Sequence, residues 1–426
     1  MKLNSENISS MLERSKKIST ENPQQSFELA RNALYISMQD NLIKEQAYSL
    51  MCMAYASRVM SRYVEGLRYS FDALRIFICI NDVEGKIRAY NIIGIIYFYY
   101  GSYKQALEYM LNALELLKST EDYFLTSCVL NNIGEIYREA DDSNNAIMNY
   151  NEALKISEKY GFEQNKAAIM LNIGKIYSNL KKYSESLDFF YKSRIILLNT
   201  NDIVTQGEVE CEIGKIMYSL GHLDIAKKHY FTALKKLHSI QNKFYIIDVL
   251  VNIGILEATI YGNAIEYFNI ALKYAEEIKS DTKISMLYKH LSSYYSNQND
   301  YKSALDFFKK YHYKEQEIEA SNLARRLEIK KLEYEYNKKK NEVENLRHLS
   351  KTLEDEISVS FEKVEKLKVI NEKLKKETII DELTGIYNRR GLNQKLKELI
   401  DNHNNSKEHI VIFLIDIDRF KKYNDY

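Results

Sequence analysis

The stretch Leu130-Asn131-Asn132-Ile133-Gly134-Glu135-Ile136-Tyr137 decides the fold, because versions of it return every 40 residues along the first three quarters of the chain. The pattern around its glycine is Ile-Gly-x-Ile or Ile-Gly-x-Leu, and the glycine recurs as Gly94, Gly134, Gly174, Gly214 and Gly254. A fixed period of this size is typical of stacked helical units. The sequence therefore predicts a helical array.

Small and bulky residues keep fixed distances from these glycines. Small residues follow at twelve and at nineteen positions, and bulky ones at sixteen: Ala106, Ala146, Ser186, Ala226; Ala113, Ala153, Ser193, Ala233; Met110, Tyr150, Phe190, Tyr230. Small residues let two helices approach closely, and the bulky residues fill the space between them. After Gly254 the matching residues Ala264, Phe268 and Ala271 come two positions early, which predicts a shorter inter-helix turn around Tyr261.

This spacing resembles the tetratricopeptide repeat family, whose units are antiparallel helix pairs. The resemblance implies about seven units between residues 25 and 315, after an N-terminal helix or cap at residues 1–24. The expected fold class is mostly α: a tetratricopeptide-like helical solenoid, then a long coiled-coil helix, and then the start of an α/β domain. Arrays of this kind present an extended concave surface for binding, where members of the family hold peptides.

Asparagine stands two residues before three of the repeat glycines, at Asn132, Asn172 and Asn252, while Glu212 interrupts the series. The resemblance places this position in the groove, where an amide can both donate to and accept from a peptide backbone. We therefore expect Asn132, Asn172 and Asn252 to line a peptide groove. Two alternatives stay open: asparagine is frequent throughout this chain, or these amides bond neighbouring helices to each other.

Composition and charge narrow the classes of partner. The 60 basic and 59 acidic residues nearly cancel, so we expect neither nucleic acid nor a membrane surface as partner. The four cysteines are far apart and form no CxxC pair, which indicates thiols in a reducing compartment. The first residues lack the apolar core of a signal peptide, and the most apolar stretch noted, residues 90–100, is too short to span a bilayer. We expect a cytoplasmic protein.

A different period begins at Ile329, where apolar residues alternate at steps of three and four. The first heptad position is held by Ile329, Tyr336, Val343, Ser350, Ile357, Val364, Asn371 and Thr378, and the fourth by Leu332, Lys339, Leu346, Leu353, Ser360, Leu367 and Leu374. Heptads without Gly or Pro predict a coiled coil over residues 316–380. β-branched residues at the first position and Leu at the fourth favour a parallel homodimer, with Asn371 fixing its register. The alternative is a single charged helix that bridges two domains.

The coil leads into Asp381-Glu382-Leu383-Thr384-Gly385-Ile386-Tyr387-Asn388-Arg389-Arg390, and the sequence given closes on Asp416-Ile417-Asp418-Arg419-Phe420-Lys421-Lys422-Tyr423-Asn424-Asp425-Tyr426. Between them we expect Asn388 to cap a short amphipathic helix over residues 394–400, and residues 410–415 to form a buried strand. These motifs resemble the opening motifs of the GGDEF-domain family of diguanylate cyclases. The resemblance covers residues 381–426.

The resemblance implies a role for each matching residue near the end of the sequence. Asp416 would bind Mg²⁺ through its carboxylate and Ile417 through its backbone carbonyl, both of them the oxygen ligands that this cofactor prefers. The backbone around Phe420 and Lys421 would hold the phosphates of GTP. Asn424 would pair with the guanine edge.

The family's reaction joins two GTP molecules into cyclic di-GMP across a dimer, and the resemblance further implies a structural ion pair between Asp381 and Arg390. The signature hairpin Gly-Gly-Asp/Glu-Glu-Phe does not occur among the 426 residues. We therefore expect this chain to be catalytically inactive, with its last 46 residues poorly ordered or partly collapsed. The alternative function is a non-enzymatic dimeric scaffold that binds protein or peptide and carries a decayed cyclase tail.

Overall fold

The computed structural model describes residues 2–19, 22–377, 379–403, 411–413 and 415. The chain divides into two compact units, residues 1–337 and residues 338–426. The helices of the described part are, in chain order, α1 (Lys2–Ile18), α2 (Pro23–Gln39), α3 (Ile43–Val59), α4 (Tyr63–Cys79), α5 (Val83–Tyr99), α6 (Tyr103–Leu117), α7 (Tyr123–Glu139), α8 (Ser143–Tyr160), α9 (Glu163–Asn179), α10 (Tyr183–Leu197), α11 (Ile203–Ser219), α12 (Leu223–Ser239), α13 (Lys243–Tyr261), α14 (Ile265–Glu277), α15 (Asp281–Asn297), α16 (Tyr301–Glu377) and α17 (Arg389–His403).

Each repeat is a helix pair in which a glycine of the first helix faces a large side chain of the second. A Cβ atom added at Gly134 would lie 2.5 Å from the Tyr150 ring, and one at Gly174 would lie 2.4 Å from the Phe190 ring. Such distances exclude any side chain, so only glycine lets the paired helices come this close. The predicted helical solenoid is confirmed, and the recurring glycine has a packing reason.

The repeat that contains Gly254 differs from its neighbours, but not in its turn. Three residues separate α13 from α14, as many as separate α11 from α12, so the prediction of a shorter turn around Tyr261 is wrong. Instead α13 has 19 residues where α11 has 17, and α14 begins three residues before Phe268 where α12 begins seven before Tyr230. Two residues gained and four lost bring Phe268 two positions early against Gly254.

Short turns with a left-handed residue separate the helices. Asn41 and Asn81 have φ of 53°, and Gly101 and Gly221 have φ of 83° and 80°. Asparagine and glycine are the residues that tolerate this conformation best. After several of these turns a side chain caps the next helix, as Asp82 does by accepting a hydrogen bond from the Gly85 N–H. Local chemistry therefore sets where these helices end and begin.

One helix of the described part, α13, is long and apolar enough to cross a membrane by length and composition. Its side chains Ile247, Ile253 and Leu256 are fully buried in the core formed with α11 and α12. A first helix of a repeat packs against its own partner and against both neighbouring repeats, which explains its apolar character. The stretch noted from sequence, residues 90–100, lies mostly in α5, another first helix of this kind.

The longest helix, α16, has 77 residues and spans about 115 Å at 1.5 Å per residue. It begins as the second helix of the last repeat, so the predicted boundary at residue 315 falls within it. Its residues up to Asn337 belong to the first compact unit. There Ile329 and Leu332 are buried in the core formed by α3 to α7, with 3 % and 9 % of their surface exposed.

Beyond Asn337 the apolar stripe of α16 is exposed. The exposed fractions are 64 % for Leu346, 48 % for Leu353 and 63 % for Leu367. A stripe of this kind needs a partner to bury it. The pairing of two such helices stays a prediction.

The second unit departs from the sequence expectations after α16. Residues 379–403 form a hydrogen-bonded turn followed by α17, which is longer than the helix expected over residues 394–400. The expected buried strand is not formed at the described residues 411–413 and 415, where Phe413 and Ile415 are 84 % and 87 % exposed. A strand needs a neighbouring strand to satisfy its backbone groups, and the described part of this unit contains none.

Candidate functional site

A cleft of about 340 Å³ lies within the repeat array, lined chiefly by the first helices of successive repeats. Its volume is at the lower end of the range typical of ligand sites. The side chains that line it from α3 to α13 are Arg58, Ile95, Phe98, Tyr99, Met110, Asn131, Asn132, Glu135, Ala168, Leu171, Asn172, Lys175, Thr205, Glu208 and Tyr245. The array thus brings residues from six repeats to one surface.

A ladder of side-chain amides connects adjacent repeats. The Asn132 Nδ2 donates to Asn91 Oδ1 at 3.4 Å, and the Asn172 Nδ2 donates to Asn131 Oδ1 at 3.1 Å. Each bond joins residues 41 apart, since the residue two before one repeat glycine reaches the residue three before the preceding one. The amides therefore do what the second alternative suggested and bond neighbouring helices.

The third predicted groove residue follows the same register but lies elsewhere. The Asn252 Nδ2 donates to the Asp248 carbonyl at 2.8 Å and contacts Cys211 Sγ at 3.5 Å. Asn132 and Asn172 line the cleft, whereas Asn252 does not. The structure brings together two of the three residues.

Charges in the cleft are paired, with one exception. Lys175 Nζ lies 3.3 Å from Glu208 Oε1, and Glu135 Oε2 lies 2.8 Å from Arg138 Nη2. Among the described residues Arg58 has no carboxylate partner; its guanidinium lies 5.3 Å from the Tyr99 ring centre, and its Nε is buried without a hydrogen bond. The spare charge of the cleft is therefore positive.

The carboxyl group of Glu135 is held ionised at the floor of the cleft. Burial by itself would raise the pKa of Glu135, but Arg138 and the Tyr150 hydroxyl, which donates to Oε1 at 2.6 Å, bring the pKa below its ordinary value. Burial, reinforced by Glu208 and Tyr99, raises the pKa of Tyr245 across the cleft. Both groups thus keep a defined charge near neutral pH.

Sequence reasoning missed the cleft residues outside the asparagine series. Arg58, Lys175 and Tyr245 follow no repeat-wide pattern of residue type, so no periodic signal marks them. Asn131 adjoins Asn132, and its spacing of 41 to Asn172 could have predicted the amide ladder. The superhelical path that brings α3 and α13 to one cleft depends on the packing angle of every repeat, which local sequence does not state.

The residues assigned to magnesium and nucleotide, Asp416, Ile417, Phe420, Lys421 and Asn424, lie outside the described residues. Their roles stay predictions. Within the described part, no group of three or more His, Cys, Asp or Glu side chains is arranged to hold a metal ion.

Asp381 and Arg390 are described, and the ion pairs of the described residues include none between them. The Asp381 carboxylate instead accepts hydrogen bonds from the Thr384 hydroxyl at 2.7 Å and from the Thr384 N–H at 3.0 Å. These bonds, the hydroxyl first, hold the pKa of Asp381 below its ordinary value. The predicted ion pair stays a prediction.

The following motif has a clear local structure. As predicted, Asn388 caps α17, because its Oδ1 accepts from the N–H groups of Arg390 and Gly391 at 3.0 Å. A Cβ added at Gly391 would lie 2.1 Å from the Ile379 carbonyl oxygen, so glycine is required there. The Asn-Arg-Arg-Gly sequence thus closes a turn directly after the long helix.

Comparison with protein families agrees with this division of the chain. Residues 378–426 match the family described as diguanylate cyclase, GGDEF domain. Residues 125–197 match the family described as tetratricopeptide repeat. The sequence has no significant match among curated proteins.

Several solved structures share the fold of the array. The apo form of the quorum sensor NprR from B. thuringiensis aligns with TM-score 0.54 and 14 % identity over 72 % of this chain and 86 % of that one. A Rap protein complexed with competence and sporulation factor gives 0.52 and 15 % over 75 % and 99 %. The Rap conjugation gene regulator of plasmid pLS20, in complex with a Phr peptide, gives 0.52 and 13 % over 74 % and 96 %. The chain combines a tetratricopeptide-repeat solenoid with a segment of the diguanylate cyclase GGDEF domain.

Proposed function

We propose that this chain is the sensory part of a cytoplasmic signalling protein, in which the repeat array binds a peptide and α16 relays that event to a diguanylate cyclase output. The observation that carries the proposal is the cleft with its spare positive charge at Arg58, beside the amides of Asn131 and Asn172. Amides suit a peptide backbone, and a guanidinium suits a carboxylate.

The expected ligand is a short peptide with a free carboxylate, from an acidic side chain or from its own C-terminus. A partly buried guanidinium without a carboxylate partner binds such a group more strongly than an exposed one does, because water screens it less. The peptide complex of the pLS20 regulator, which has a similar fold, supports a peptide as the ligand class.

Binding to the cleft can be tested with a library of immobilised hexapeptides. We expect wild type to retain acidic or free-carboxylate sequences, and Arg58→Gln or Asn132→Ala with Asn172→Ala to lose roughly tenfold in affinity, since each change removes hydrogen bonds of about 1 kcal/mol. Asn252→Ala is the matched control, because Asn252 has the same repeat position but lies outside the cleft. Equal retention by all variants would exclude the cleft.

For α16 we propose a parallel homodimer through the exposed heptad positions after Asn337. The exposed leucines Leu346, Leu353 and Leu367 and the central Asn371 support it, since a second copy carries the same stripe and the same register residue. Sedimentation of the whole chain at micromolar concentration tests the pairing. A monomer under these conditions would contradict it.

For the C-terminal segment we propose the roles that the GGDEF resemblance implies. Asp416 and Ile417 would supply oxygen ligands to Mg²⁺, and Phe420, Lys421 and Asn424 would contact GTP. Magnesium would neutralise charge on the triphosphate, and a parallel coil would bring two such segments side by side. Calorimetric titration of the chain with Mg²⁺ and GTP, compared with an Asp416→Asn variant, tests these roles.

The 426 residues by themselves are proposed to make no cyclic di-GMP, because they contain no Gly-Gly-Asp/Glu-Glu-Phe signature. Incubation of the purified chain with GTP and Mg²⁺ tests this, and detection of cyclic di-GMP would overturn it. The second candidate function is a non-enzymatic dimeric scaffold with a decayed cyclase tail. Reading the nucleotide sequence past the codon for Tyr426 distinguishes the two, since an intact downstream signature supports the signalling enzyme.

A further inference from the structure

The part of α16 between Asn322 and Tyr336 is docked on the repeat array, on α4 and α5. The Tyr97 hydroxyl donates to Glu333 Oε1 at 2.7 Å, and the Tyr100 hydroxyl donates to the Asn322 carbonyl at 3.2 Å. The Tyr336 ring stacks on Phe71 with 4.4 Å between ring centres. These contacts join residues more than 220 positions apart in the chain.

An ion pair and two apolar side chains complete the contact. Arg68 Nη2 of α4 lies 3.8 Å from Glu328 Oε1 of α16. Ile329 and Leu332 are almost fully buried among the core residues of α3 to α7. The docked segment is therefore held by packing, by one ring stack and by three polar contacts.

The docked side chains are the ones that begin the heptad pattern. Ile329 and Tyr336 hold its first position, and Leu332 holds the fourth. In a two-stranded coil such residues insert between side chains of the partner helix. A side chain that is buried in the array cannot also be buried in a second helix, so docking and pairing exclude each other over this heptad.

The docking surface and the cleft share α5. Ile95, Phe98 and Tyr99 line the cleft, while Tyr97 and Tyr100 hold α16. The two sets alternate within the last turns of one helix, so a displacement of α5 moves both. This gives an occupant of the cleft a physical connection to the docked segment.

We propose that residues 322–336 form a clasp: an amphipathic segment that the array holds in place and that must leave α4 and α5 before the coil can pair along its full length. The clasp sets how far toward the array two copies of α16 join. The proposal rests on the proposed dimer of α16, and the test below separates the failure of one from the failure of the other.

The test weakens docking from the array side and leaves every heptad residue unchanged. Arg68→Ala with Tyr97→Phe removes the Glu328 ion pair and the hydroxyl that bonds Glu333, and phenylalanine preserves the ring of Tyr97. The matched control is Arg75→Ala with Tyr230→Phe, because Arg75 pairs with Asp72 on α4 and Tyr230 is a buried ring in the core of α11 and α12. Far-ultraviolet circular dichroism confirms the fold of each full-length variant.

The dimer dissociation constant is then measured by sedimentation equilibrium. If the clasp competes with pairing, Arg68→Ala with Tyr97→Phe tightens the dimer about five- to thirtyfold, the equivalent of losing one hydrogen bond to a charged group and a weak ion pair, and the control does not. A dimer of unchanged or weaker affinity in the clasp variant overturns the clasp and leaves the dimer standing. Monomers in every variant overturn both.

A second variant covers the case in which the first fails to fold. Arg68→Cys with Glu328→Cys, in a chain with Cys79→Ser, is joined by a short bis-maleimide that holds the segment on the array. The crosslinked chain is expected to dimerise at least fivefold more weakly than the same chain before crosslinking. Equal affinities before and after crosslinking contradict the clasp.

Discussion

The two halves of α16 carry one heptad pattern and meet different surroundings. Before Asn337 the pattern residues Ile329 and Leu332 are 3 % and 9 % exposed, and after it Leu346 and Leu367 are 64 % and 63 % exposed. The difference teaches that a heptad pattern specifies an apolar stripe but not what covers it. One half is buried by its own array, and the other half is left for a partner.

The largest expected effect compares a core ring of the array with an exposed ring of the free half. Phe190→Ala leaves a cavity against Gly174 and is expected to lower the free energy of unfolding by about 3–5 kcal/mol. Phe361→Ala, at a side chain 73 % exposed, is expected to change it by less than about 0.5 kcal/mol. Urea unfolding followed by circular dichroism measures both, and a large loss in Phe361→Ala would show that the free half is already covered.

A second comparison uses the same residue type at two places in the heptad. Leu332→Ala is expected to destabilise the array by about 2 kcal/mol, because a nearly buried side chain leaves a cavity. Leu346→Ala is expected to leave the monomer unchanged and to weaken the dimer instead. Thermal unfolding and sedimentation of both variants check this, and the comparison breaks if the two variants behave alike.

A smaller effect concerns pH. The pKa of Glu135 lies below its ordinary value of 4.5 in the folded chain, so its contribution to stability is present above that value and is lost as the pH falls through the folded pKa. Below about pH 4.5 the wild type should therefore lose stability more steeply than Glu135→Gln. Glu365→Gln is the control, because Glu365 pairs with Lys368 on the exposed half of α16. Parallel curves for all three chains would contradict the assignment.

The smallest effect is chemical and concerns the array alone. Burial raises the pKa of Cys52 to about 11 and that of Cys211 to about 12, whereas Cys79 is exposed. Since the thiolate is the reactive form, iodoacetamide at pH 8 should modify Cys79 well before Cys52 or Cys211. Mass spectrometry over time measures the order. Early modification of Cys211 would show that the array opens in solution.

Much of the fold follows from the sequence, because its cause is local or periodic. The 40-residue period, the small residues and the rings that face Gly134 and Gly174 specify helix pairs, and Asn388 specifies the start of α17. The candidate site follows only in part. Asn132 and Asn172 line the cleft as expected, but Arg58 and Tyr245 were not predicted, since they meet only after six repeats have stacked.

The sequence by itself determined the solenoid, the long helix and the motifs of the GGDEF segment, since each of these is written in neighbouring residues or in a fixed period. Only the tertiary structure decided that the asparagines bond successive repeats and that the first heptad of α16 is buried in the array. The physical reason is distance along the chain: Tyr97 and Glu333 lie 236 positions apart, and only the accumulated packing angles of the repeats bring them together.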